Sequence, residues 1–115
     1  MTISEFELKR CARVLDQYLV LKRPAAHLRH EFDIDYRISG QSVELFETRA
    51  DPRDSAVRLE SGLAKAVFVK KDQCWKIYWQ RADLKWVRYD SHPIVRQLDD
   101  FIKLVDEDSH GCFYG

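Results

Sequence analysis

The chain has 115 residues, with Lys and Arg balancing Asp and Glu at 19 each, so the formal charge is zero. That length suits a single domain, 1–115, with one core, and the balance excludes bulk polyelectrolyte attraction to nucleic acid or membrane, leaving such work to a local patch. Three widely spaced cysteines, Cys11, Cys74 and Cys112, make no disulfide framework and fit a reducing, cytoplasmic setting, and no apolar run is long enough to cross a bilayer.

Ser4 followed by Glu7 reads as a capping box, with Thr2 and Glu5 as a second candidate. From there Leu8, Cys11, Leu15, Tyr18 and Leu19 repeat at helical spacing, which predicts a first helix ending near Lys22 or Arg23, before Pro24. Residues 24–29 suit a separate short turn. Glu31 to Ile38 alternates strictly, with Phe32, Ile34, Tyr36 and Ile38 on one side, and predicts a half-buried strand that returns after Gly40 as Ser42 to Thr48. Periodicity is lost from Arg49 to Gly62, where Asp51, Pro52, Arg53, Asp54 and Ser55 predict a surface loop.

Leu63 to Asp90 holds all three tryptophans and predicts a three-stranded antiparallel meander. A loop at Lys70 to Gln73 sets Phe68 opposite Trp75 and Ala66 opposite Ile77. A loop of two or four residues centred on Ala82 and Asp83 sets Trp79 opposite Trp86 and Ile77 opposite Arg88. Side chains alternate across a strand, so Ala64, Ala66, Phe68, Trp75, Ile77, Trp79 and Trp86 are expected on the core face. The reverse face then carries Lys65, Val67, Val69, Cys74, Lys76, Tyr78, Gln80, Lys85, Val87 and Tyr89. A final helix is expected from a Ser91 cap with Pro93 in its first turn, burying Ile94, Leu98, Phe101, Ile102 and Val105. In the tail, Phe113 and Tyr114 are placed to fold back onto the body. The expected fold is α+β: an antiparallel sheet of about five strands, hairpin plus meander, with the N-terminal and C-terminal helices packed on one face.

The runs Trp75-Lys-Ile-Tyr-Trp79, Trp86-Val-Arg-Tyr-Asp90 and Asp108-Ser-His-Gly-Cys-Phe-Tyr-Gly115, with Arg23-Pro24, Leu28-Arg29 and Phe46-Glu-Thr-Arg49, span most of the chain. As a set they resemble a family of small bacterial proteins catalogued as a domain of unknown function, number 3024. Where that family often has an Asn-Gly type turn before the last strand, this chain has Ala82-Asp83-Leu84. The resemblance implies a bacterial source and supports the fold, and it implies no activity.

Across Leu63 to Asp90, Lys65, Lys70, Lys71, Lys76, Arg81, Lys85 and Arg88 face only Asp72, Asp83 and Asp90, a local excess of four positive charges (seven minus three). Cations beside flat rings on an open sheet suit single-stranded nucleic acid, whose phosphates seek cations and whose bases stack. Lys65, Lys76, Tyr78, Arg81, Lys85 and Tyr89 are therefore the candidate ligand-binding residues of a non-enzymatic module. The bland alternative is a solvated sheet with lysines snorkelling around its edges. Asp99, Asp100, Asp106, Glu107 and Asp108 make the C-terminal segment acidic, and opposed patches of this kind suit a protein partner or a weak homo-oligomer. The runner-up is an enzyme with a site near the 49–62 loop, although no nucleophile turn or glycine-rich phosphate loop is present. No cofactor or metal is expected: a calcium loop opening at Asp106 would need its twelfth ligand beyond Gly115, and His27, His30, His110 and Cys112 lack the spacing of a structural zinc site.

Overall fold

The computed structural model describes residues 3–114. In chain order it contains α1 (Glu5–Lys22), β1 (Phe32–Ser39), β2 (Ser42–Asp51), β3 (Asp54–Val69), β4 (Cys74–Gln80), β5 (Trp86–Arg88), β6 (Ile94–Val95) and α2 (Leu98–Glu107). The fold is α+β, with an antiparallel sheet in the order β1-β2-β3-β4-β5. β6 shares the outer edge of β4 with β5.

Ser4 Oγ accepts the Glu7 N–H at 3.2 Å and starts α1; the other candidate cap, Thr2, lies outside the described residues. Pro24 disfavours helical geometry at Arg23, which takes φ −66° and ψ 141° and ends the helix. One 3-10 turn, Ala26–Leu28, follows as expected. Arg23 then bonds both carboxylate oxygens of Asp33, at 2.9 and 2.6 Å, tying the end of α1 to the start of β1.

Gly40, at φ +58°, turns β1 into β2, and β2 pairs with β3 through Val43↔Ala66 and Leu45↔Ala64. The first hairpin thus joins the meander at its leading strand. A bulge beside Leu45 and Phe46 gives β3 one extra residue, so Leu63 and Ala64 both face the core, at 5% and 0% exposure. The core itself lies between this face and the two helices, centred on Leu15, Val43, Leu45, Ile77, Phe101 and Val105.

Two expectations are corrected. Residues 49–62 are not a loop: β2 and β3 run on to a turn at residues 51–54 and make a projecting hairpin arm. Every residue of β3 from Asp54 to Ser61 is exposed, and its only alternation, Val57-Arg58-Leu59-Glu60, is a short run next to the turn-forming Asp51, Pro52, Arg53 and Asp54, which hides the strand in the sequence. Nor does Ser91 cap the last helix. Residues 94–95 form β6, and α2 starts at Leu98 behind Gln97, which makes no side-chain cap bond. The cause is the buried Ile77: its carbonyl accepts the Tyr89 N–H at 2.9 Å, and its own N–H needs an acceptor, which Pro93 O provides at 2.9 Å. A helix starting at Pro93 would leave that N–H unpaired.

The tail folds back as expected. Asp108 ends α2 in a left-handed conformation (φ 44°), and its carboxylate accepts the N–H groups of Phe113 and Tyr114 at 3.0 and 2.9 Å. Phe113 is buried, and the Tyr114 and Tyr18 hydroxyls share a 2.6 Å hydrogen bond. Burial pushes both phenols above their ordinary range.

Candidate ligand-binding face of the sheet

Which side chains occupy the open face depends on two turns. Residues 70–73 join β3 to β4 with Gln73 at φ +50°, and the register Phe68↔Trp75 and Ala66↔Ile77 is the one the sequence predicts. In the second turn Arg81 N–H bonds Lys85 O and Leu84 N–H bonds Arg81 O, both at 2.9 Å, while Leu84 sits at φ +67°. This is a three-residue loop, a β-turn followed by a left-handed residue.

An odd loop moves the register by one residue relative to the even loops considered from sequence. Trp86 therefore pairs with Gln80, Val87 with Trp79 and Arg88 with Tyr78. Opposed residues of an antiparallel pair share a face, so the expectation that Trp86 joins Trp75 and Trp79 in the core is wrong. Trp86 lies on the open face. Tyr89, expected there, is instead 4% exposed in the core with its ring 4.8 Å from Phe113.

Around Trp86 the face is built closely. Its six-membered ring lies on Gly62, where a Cβ would meet Cζ2 and Cη2 at 2.7 and 2.8 Å, so only hydrogen fits beneath it. Gln80 Oε1 accepts the Gly62 N–H at 2.9 Å and its Nε2 donates to Leu84 O at 3.0 Å, which fastens the turn to β3. Lys65, opposite Tyr78 in the register, holds Nζ 5.0 Å from the Trp86 ring centre and 5.9 Å from that of Tyr78. Phe46 pairs with Gly62 on the other side, under the Arg37 guanidinium at 4.2 Å.

Charge is divided across the face. Toward β1 and β2, Arg37 is engaged by Glu44 at 3.9 Å and by Glu60. Toward β4 and β5, Arg81 pairs with Asp83 at 2.8 Å and Arg88 with Asp90 at 2.9 Å. Among the described residues, the Lys65, Lys76 and Lys85 side chains make no ion pair, with Glu44 standing opposite Lys65 in the register and turned to Arg37. Lys76 is exposed, and both helices pack on the opposite side of the sheet, with Leu15, Leu19, Phe101 and Val105 in the core.

Of the residues chosen from sequence, Lys65, Lys76 and Tyr78 lie together on this face, Arg81 and Lys85 stand at its end in the turn, and Tyr89 is removed from it. Sequence reasoning missed Trp86, Gly62 and Phe46, and placed Gln80 on this face without a role. An odd loop would have found Trp86; nothing in the sequence linked Gly62 to it. The acidic C-terminal segment is partly consumed within the molecule, since Asp106 pairs with Lys22 at 2.7 Å and Asp108 holds the tail. Among the described residues no group of three or more His, Cys, Asp or Glu side chains gathers as a metal site would.

No curated protein matches the chain. No solved structure matches it. The profile of the family described as "Domain of unknown function (DUF3024)" matches residues 3–115, in agreement with the resemblance of the aromatic runs and the tail, and the chain belongs to that family.

Proposed function

We propose that the chain is a non-enzymatic, cytoplasmic binding module that takes single-stranded nucleic acid on the β3 to β5 half of its open face. The observation that carries this reading is the placement of Trp86 on that face beside Tyr78, with the Lys65 ammonium over both rings. An exposed cation over a ring contributes about 0.5–1 kcal/mol, whereas a stacked base contributes about 1–3 kcal/mol. A base therefore displaces the lysine, whose ammonium turns to the phosphate. Lys76 and Lys85, with no acid to neutralise them, extend the cationic track. Bases locked in a duplex cannot lie flat on half-buried rings, which favours single strands. Three free cysteines fit the reducing compartment. The enzyme reading loses the loop on which it was placed, because 49–62 is a hairpin arm.

The test is anisotropy of a labelled short oligothymidylate over a salt series. With three lysines on the track, log K falls against log salt with a slope of about −2, at roughly 0.7 per phosphate for single strands. Lys76→Glu with Lys85→Glu flattens that slope, and Trp86→Ala weakens binding by about five-fold or more. Absence of binding at low salt, or unchanged binding by the double lysine variant, overturns the reading.

A further inference from the structure

A second site lies on the helix side of the molecule, away from the open face. Between the starts of α1 and α2 and the turn joining β3 to β4 there is a cavity of about 380 Å³, within the roughly 300–1,000 Å³ common for small-molecule sites. Its apolar wall includes Cys11, Val14, Phe68, Trp75 and Leu98, with the Phe68 and Trp75 rings 5.1 Å apart at 53°.

The lining carries both signs of charge: Glu7 and Arg10, which pair with each other at 3.8 Å, Lys70, Arg96 and Asp99. Arg96 and Asp99 are both exposed, and among the described residues neither makes an ion pair or a side-chain hydrogen bond, with each other or with any neighbour. Groups only three positions apart thus stay uncommitted at one mouth. A purely apolar ligand would leave both charges unused, and an anion or a cation alone would meet one of them as a like charge. A molecule bearing both charges on one carbon, with an apolar remainder, satisfies these two side chains and the apolar wall.

We propose that this cavity binds a free amino acid with an aromatic side chain: its carboxylate on Arg96, its ammonium on Asp99 and its ring against Phe68 and Trp75. The site shares no residue with the Trp86 face and is independent of the function proposed there.

The experiment is calorimetric titration of the full chain with phenylalanine, phenylpropionate, which lacks the amine, and phenethylamine, which lacks the carboxylate. Phenylalanine is expected to bind, and each analogue to bind about two- to five-fold more weakly, the value of an exposed ion pair. Arg96→Gln should abolish the preference for phenylalanine over phenethylamine, and Asp99→Asn the preference over phenylpropionate. Both side chains are exposed, so the variants should keep the thermal midpoint of the unliganded protein, while Trp86→Ala should leave phenylalanine binding intact. No heat with phenylalanine, equal affinity for all three compounds, or preferences unchanged in the variants overturns the proposal.

Discussion

Leu84 holds the open face in its register at a conformational cost. It takes the left-handed geometry that closes the turn, φ +67°, while its side chain stays 67% exposed. A side chain there costs about 1–2 kcal/mol through its Cβ, and glycine would add back roughly 0.5–1 kcal/mol of unfolded-state entropy. Little burial is lost by removing it. Leu84→Gly should therefore stabilise the protein by about 0.5–1 kcal/mol in urea denaturation, with Trp86 still paired to Gln80. A lower midpoint would mean that the leucine side chain holds the turn by contacts, not by geometry. Gly62 is the converse case: it is needed for the space beneath the Trp86 ring, which any Cβ would enter.

Where elements are fastened to one another, polar side chains at their ends do the fastening. Arg23 at the end of α1 grips Asp33 in β1, with the two side chains 32% and 15% exposed. The guanidinium bonded to Asp33 holds its carboxyl below the usual carboxylate range, helped by the Ile34 N–H. The folded form thus binds that proton more weakly than the unfolded chain does. Its contribution is present above the ordinary carboxylate value of about 4 and is lost as pH falls through the lowered folded value. Asp33→Asn should lower stability at neutral pH and flatten this acid limb, which denaturation at pH 7 and pH 3 would show. An unchanged difference between the two pH values would rule out the clamp as its source.

β1 announces itself because one side is wet and the other packs under α1, so Ile34, Tyr36 and Ile38 alternate with Asp33, Asp35 and Arg37. The arm half of β3 alternates only from Val57 to Glu60, because water surrounds it on both sides. β6 is too short for a period, and only the unmet N–H of buried Ile77 calls for it. The β5 register was misread for a different reason. Loops of two and four residues centred on Ala82 and Asp83 give one register and put Trp86 in the core, whereas the three-residue loop closed by Leu84 at φ +67° gives the other. Lys65, Lys76 and Tyr78 are legible because the four-residue turn at 70–73 fixes their register.

At the scale of the molecule, the chain is elongated, 46 × 29 × 25 Å, with both helices over one side of the sheet and the Trp86 face on the other. Trp75 lines the helix-side cavity and Trp86 the open face, so two indoles report on opposite surfaces. The most direct measurement of the central claim is a ¹H–¹⁵N correlation spectrum recorded during titration with a short single-stranded oligonucleotide. The Trp86 indole N–H, with the backbone amides of Lys65, Lys76 and Tyr78, should shift progressively while the Trp75 indole stays in place. Shifts at Trp75 with Trp86 unmoved, or no shift at either, would contradict the account.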